Sequence, residues 1–392
     1  MQRELSQTLA FEIRYAGNHA SDLFQSVNTN PFVGTAADPG LAQLFPNLLP
    51  AGVTACSTPG APGFGRVNCN EGVLLSRENS ASSSYNALQT ELRAHNLFNQ
   101  LTLRAAYTFS KTLDNASEIF GSNGAATTTS FAQDPFNAAN AERGLSGLDI
   151  PNQFSLTATE ELPFFRAQHG LVGHLAGGWG LSGTYIWASG QPYTPIEPTF
   201  ANATGVCDCF DNGFLGDFNN GAGVARPFVG SLSAPANTVG IFAGDACTLL
   251  GVGCSATPNQ LISLNAANNG NVQNVTNNQV RFIANTGIAQ TTFGTPFGNA
   301  ARNSLRDAPS NIANISVFRN VKFNERASLQ FRATAENVFN HANFATVVPN
   351  IENAGLTGFG TGFASPSLTG DSIPGSSIAA SRRLFFGLTL RY

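Results

Sequence analysis

The residues of this chain best suited to chemistry are six cysteines, five histidines and a few acidic clusters. Cys56, Cys69, Cys207, Cys209, Cys247 and Cys254 all fall in stretches rich in Gly, Asn and Pro. An even number of cysteines in loop-like sequence suits disulfides in an oxidising compartment. Zinc asks for Cys-x-x-Cys units or nearby His, and Cys207-Asp208-Cys209 supplies neither. Cys56 with Cys69 and Cys247 with Cys254 are the natural local pairs, while Cys207 and Cys209 have no assignable partner. His19, His95, His169, His174 and His341 stand outside any nucleophilic, metal-binding or acid–base set, and His169 and His174 read as solvated residues of a connection. Asp211, Asp217 and Asn219 offer oxygen ligands for calcium, but their spacing fits no complete EF-hand loop and the closing Glu is missing, so they read as solvated loop. Gly358, Gly360 and Gly362 follow no strand and open no helix, as a phosphate loop requires. The expectation is a protein without metal, cofactor or catalytic residue, and not an enzyme.

Composition points to another solvent. Only 11% of the 392 residues are charged, with 40 Gly and 31 Phe, against about 25% charged in an ordinary soluble chain. No run approaches the ~18 apolar residues of a membrane-spanning helix, so a membrane-spanning reading requires strands. A net charge of -4, with Lys and Arg scattered singly, gives no basic stripe for nucleic acid. Residues 1–12 have no basic leader followed by an apolar run and a small-residue cleavage site, so the chain is expected to lack its natural start.

The elements that must position these residues show as period-two alternation in segments near the 9–11 residues of a transmembrane strand. In 101–111, Leu101, Leu103, Ala105, Tyr107 and Phe109 share one face while Thr102, Arg104, Thr108 and Ser110 share the other. Seven further segments, at 5–15, 84–94, 152–162, 178–189, 312–323, 327–339 and 382–392, complete eight expected strands. Connections alternate between long (16–83, 112–151, 190–311, 340–381) and short (96–99, 164–177, 324–326), as in outer-membrane barrels with long external loops and short periplasmic turns. Tyr15, Phe109, Trp187 and Phe339 fall at the outer edge, and Trp179, Phe323 and Tyr392 at the inner one, where aromatic girdles belong. The fold class is therefore all-β, a partial antiparallel transmembrane barrel of about eight meander strands placed in the outer membrane, with lipid as its first partner.

On the wet face, Glu12, Glu91, Arg93, Arg104, Arg332 and Glu336 are the candidate lumen-lining residues, forming either a substrate path or a salt-bridged wall. A hairpin centred between Leu97 and Phe98 sets Glu91 opposite Arg104, a favourable cross-strand pair. Arg319 shares the oily parity of Ile315 and Val317, so it must either snorkel to the inner edge or follow a bulge.

Several words of the sequence resemble the barrel of TonB-dependent outer-membrane receptors that carry an N-terminal carboxypeptidase-regulatory-like domain. They are residues 84–89 (SYNALQ), 106–111 (AYTFSK), 141–146 (AERGLS), Gly178-Trp179 with 189–192 (SGQP), 297–300 (FGNA) with Arg302-Asn303, and 329–333 (LQFRA) running on to 337–341 (NVFNH). The resemblance implies that 1–392 is the C-terminal portion of a 22-stranded barrel, with the plug, the regulatory-like domain and the upstream strands missing from this sequence. It also implies energised uptake of an unidentified solute through a TonB-type coupling protein that contacts the missing part. The last strand, with Leu384, Phe386, Leu388, Leu390 and Tyr392 on its oily face, would close the barrel and meet the barrel assembly machinery. Two alternatives remain at this stage: a passive surface protein, adhesin or porin-like, that binds through its loops, and a soluble β-sandwich lectin or glycosidase, whose strands also bury one face.

Overall fold

The computed structural model describes residues 2–37, 40–97, 100–117, 132–165, 168, 170–197, 225–323, 327–357, 362–368 and 381–392. Alternating side chains commit the chain to one large antiparallel sheet. Its strands follow each other in chain order: β1 (Gln2–Ser6), β2 (Leu9–Asn28), β3 (Leu75–Leu97), β4 (Leu101–Asp114), β5 (Asn152–Glu161), β6 (Trp179–Ala188), β7 (Ser310–Lys322), β8 (Ser328–Glu336) and β9 (Arg383–Arg391). The short strand Gly144–Leu145 joins the far end of β4, and β1 and β9 are the two edges. No described helix is long and apolar enough to cross a membrane.

All eight expected strands form, in order, with long and short connections on opposite ends of the sheet. We call the long-connection end outer and the short-connection end inner, following the asymmetry of outer-membrane barrels. The segment 5–15 is corrected into two strands. Gln7 and Thr8 make a tight inner turn, held by the Thr8 N–H donating to Ser6 Oγ at 3.3 Å, and β1 folds back on β2. Strands β2 and β3 run 20 and 23 residues, well past their expected ends at Tyr15 and Ser84. Register shifts beside Asp22, whose φ is +56°, bend this ribbon outside the membrane band. The segment 327–339 ends as strand at Glu336. Asn337 then closes a turn, accepting from the His341 N–H at 3.0 Å and donating to the His341 carbonyl at 2.9 Å, so Phe339 lies outside the strand.

The register aligns every oily face. One hydrogen-bonded row runs Leu9, Ala94, Leu103, Ala158, Gly183, Ile315, Ala335, Leu384, and another holds Phe11, Leu92, Ala105, Leu156, Tyr185 and Ala313. The opposite face carries Thr102, Thr159, Ser182, Ser316 and Thr334 in one row. Among the described residues nothing covers the oily side of β9, where Phe386 and Leu388 are 72% and 70% exposed. Leu9 is the first residue of β2, whereas Ala335, in the same row, is the eighth of β8. That climb of about 23 Å over about 29 Å of sheet corresponds to a strand tilt near 40°, within the 35–45° of outer-membrane barrels.

Arg319 resolves in favour of snorkelling. The β7 ladder has no register shift there, and Arg319 sits opposite Trp179 near the inner edge. Its guanidinium lies 5.4 Å from the Trp179 ring, and its Nε donates to the Gly177 carbonyl at 3.4 Å.

The outer loops, which by sequence showed no regular elements, pack into a cap with its own cores. Strands Phe228–Val229, Val239–Phe242, Leu261–Ser263 and Phe282–Ile283 form a four-stranded sheet flanked by helices Ala243–Leu250 and Gly287–Phe293. Val239, Ile241, Ile262 and Phe282 pack with Tyr193, and with Ile351 and Phe363 of the last long connection. Val33 and Leu41 of the first connection share a second core with Ala225. The disulfides Cys56–Cys69 and Cys247–Cys254 form as paired by sequence.

Candidate functional site

The six expected lumen residues divide into two groups. Glu12, Glu91, Arg93 and Arg104 meet on the polar face of β2, β3 and β4. Glu91 Oε1 accepts from Arg93 Nε at 2.6 Å and from Arg104 Nε at 2.5 Å, and Glu12 lies 3.7 Å from Arg93 and 3.6 Å from Arg14. Arg332 and Glu336 are four to six strands away, about 19–29 Å along the sheet. Arg332 instead lies over the Phe318 ring at 5.4 Å, and Glu336 stands opposite Arg383 in the ladder.

The expected register is corrected by two residues. Arg104 pairs with Arg93, and Glu91 with Ala106. The cause is a bulge between Ala94 and Leu97, where Asn96 takes a φ of +54° that Asn tolerates. The Glu91–Arg104 ion pair survives on the diagonal, because these long side chains span the offset.

Sequence reasoning missed a second constellation in the cap. Three arginines of the connection between β6 and β7 bind three carboxylates at the end of β4 and in the connection after it: Arg226 with Glu142, Arg302 with Asp114, and Arg306 with Asp149. Arg226 makes a fork with both Glu142 oxygens, at 3.1 and 3.2 Å. Arg302, 3% exposed, also donates to the Glu142 carbonyl at 2.9 Å and to Ser117 Oγ at 2.9 Å. Asn303 donates to the Leu145 carbonyl at 2.7 Å, and Gln133 to the Gly298 carbonyl at 3.1 Å. The sequence words 141–146 and 297–303 therefore meet in space and seam two outer loops together. The available signal was rarity: Arg226, Arg281, Arg302 and Arg306 are the only basic residues between 190 and 309.

At the root of the cap, burial pushes the Asp307 carboxyl up to about 6, against the pull of a hydrogen bond from the Val347 backbone. Burial and the neighbouring Asp307 charge both raise the Tyr193 phenol. Among the described residues, no three His, Cys, Asp or Glu side chains gather as a metal site. Cys207, Cys209, Asp211, Asp217, Asn219, His169, Gly358 and Gly360 lie outside the described residues. The arrangement presents a polar face with exposed guanidinium groups and a cap whose loops are seamed by buried ion pairs.

A family model described as an outer membrane beta barrel domain matches residues 1–367. Among solved structures, the outer membrane transporter YddB from Escherichia coli is similar at a TM-score of 0.37 and 8% identity, over 100% of this chain and 31% of that one. FpvA of P. aeruginosa, solved bound to a heterologous pyoverdine with iron, gives 0.32 and 8%, over 100% and 32%. The chain thus spans about a third of the length of these two structures. No curated protein matches the sequence. The tilted meander with one uncovered oily face sets aside the soluble sandwich, and with the family match the conclusion follows: this chain belongs to the outer membrane β-barrel domain family, and it resides in the outer membrane.

Proposed function

We propose that residues 1–392 are the C-terminal portion of a larger receptor-transporter barrel that admits a solute captured by the cap, energised through a TonB-type coupling protein. The observation that carries this reading is the pairing of a wall that leaves one oily face uncovered with an outer cap seamed from the loops of its outer hairpins. A wall with two open edges leaves backbone groups unpaired, which hydrocarbon does not tolerate. Further strands of the complete protein supply the missing pairs, and its plug and coupling segment fill the lumen. Strand β9, with its row of exposed Leu384, Phe386, Leu388 and Leu390, is the segment that engages the barrel assembly machinery.

The test is genetic. Cells lacking the whole gene and cells lacking the coupling protein are grown on a panel of scarce nutrients. A shared deficit on the same nutrient supports energised uptake. A deficit, or a loss of surface adhesion, that follows the gene but ignores the coupling protein establishes the passive surface protein instead.

A further inference from the structure

We propose that Arg93 and Arg104 form a binding site for one oxyanion, the carboxylate or phosphate group of a solute, on the polar face of the wall. The proposal rests on the reading above that this face lines an aqueous lumen. The two arginines stand directly opposite each other on β3 and β4, with Cα atoms about 4.5–5.5 Å apart. Like charges in that position repel, and Glu91 is what makes the placement tolerable. Its side chain is 5% exposed, and a single oxygen, Oε1, receives the Nε of both arginines.

That anchoring uses only the Nε of each arginine and leaves the Nη1–Nη2 edge of both guanidinium groups available. The side chains of Arg93 and Arg104 are 53% and 65% exposed. Among the described residues, the Nη groups of Arg104 have no hydrogen-bond or ion-pair partner, and Arg93 Nη2 has only the 3.7 Å approach of Glu12. Both line one cavity of about 390 Å³ near the inner end of β1 to β4, with Ser6, Thr8, Thr102 and His95 adding polar groups. By contrast, the Arg332 guanidinium lies over a ring, and Arg226, Arg302 and Arg306 are held by buried carboxylates. A guanidinium edge matches the two oxygens of a carboxylate or phosphate, and a fork pinned by its Nε loses less freedom on binding. Glu12 and Arg14 offset each other, Glu91 offsets one of the pair and Glu4 on the cavity wall balances the other, so recognition rests on the guanidinium forks rather than on net charge. Glu4, which also lines the cavity, limits the site to a single oxyanion rather than a polyphosphate.

The experiment is calorimetric titration of the complete protein that contains this chain, in nanodiscs, with inorganic phosphate and with acetate at low ionic strength. Saturable binding is expected, weakened about tenfold or more by Arg104→Gln or Arg93→Gln. Arg332→Gln leaves it unchanged. Arg104→Lys keeps the charge partner of Glu91, and hence the fold, but loses the fork, so it also weakens binding. Affinity is expected to be equal in neutral and anionic lipid, and competition by anionic lipid overturns a solute site. No saturable binding, or equal affinity in wild type and Arg104→Lys, overturns the pair as a site and leaves it a structural wall. A Gln153→Cys variant on the same face, treated with a water-soluble maleimide, separates the two failures. Labelled cysteine without phosphate binding sinks the arginine pair alone, whereas cysteine protected by lipid sinks the lumen reading beneath it.

Discussion

Replacing Arg302 with Met should open the cap while leaving the wall intact. Arg302 comes from the connection between β6 and β7, and it reaches the last residue of β4 by donating through Nη2 to both the carboxylate and the carbonyl of Asp114. Asp114 is only 5% exposed, so losing the arginine strands a buried charge, which costs about 3–5 kcal/mol. Ser117 Oγ keeps its bonds to the Asp114 oxygens at 3.1 and 3.0 Å and recovers part of that loss, which favours the lower end. If the cost falls on local opening of the two loops, amide exchange there should accelerate by roughly two to nearly four powers of ten. The amides to follow are Asn303 N, bonded to Thr194 Oγ1, and Ser146 N, bonded to the Thr112 carbonyl, with the β5–β6 ladder as the internal reference. Hydrogen exchange with mass spectrometry on the detergent-solubilised chain reads both regions at once. A double replacement, Arg302→Met with Asp114→Leu, removes both charges and should restore much of the protection. Unchanged exchange in the loops, or equal acceleration in the β5–β6 ladder, refutes a separable, charge-seamed cap.

Further outcomes follow from individual residues. Asp307 holds its proton more tightly folded than unfolded, so the stability it contributes is full below about pH 3.8 and falls as pH rises through about 6. Asp307 Oδ1 is buried without a hydrogen-bond partner among the described residues, so Asp307→Asn should flatten that slope and stabilise the cap above pH 6, as read by loop proteolysis against pH. Gly180 faces Phe318 in the ladder, and a Cβ there would meet the Phe318 ring at 2.2 Å. Gly180→Ala should cost about 1–3 kcal/mol, seen as a lower melting temperature of the heat-modifiable band and relieved by Phe318→Leu. Non-reducing peptide mapping should recover Cys56 joined to Cys69 and Cys247 joined to Cys254, and scrambled pairs would contradict the cap structure.

The wall was legible because lipid on one side and water on the other impose strict alternation, so Leu103, Phe331 and Leu388 declare a face without any knowledge of their neighbours. The outer halves of β2 and β3 were not legible, since both of their faces leave the membrane. Residues 77–83 (RENSASS) read as loop, yet Ala81 is buried and pairs with Leu23. The two-residue register error shows the limit of turn reading: alternation fixes the face, but only the bulge at Asn96 fixes which residue stands opposite which. Glu91, Arg93 and Arg104 were found because they interrupt an oily pattern with wet-face charges, whereas Arg332 shares the face but lies too far along the sheet to join them. The seam of Arg226, Arg302 and Arg306 joins residues up to 188 positions apart, beyond the reach of any local period. The split of 5–15 turned on two small polar residues, Ser6 and Thr8, whose hydroxyls support a turn as readily as a strand.

The most direct measurement is the environment of nitroxide labels placed one at a time on the two faces of the reconstituted protein. Labels at Leu103, Phe331 and Leu388 should collide freely with oxygen dissolved in the lipid and be shielded from a water-soluble nickel chelate, while labels at Gln153 and Gln330 should show the opposite preference. If the two groups respond alike, or with the preferences exchanged, the sheet is not a membrane wall with its oily side in hydrocarbon.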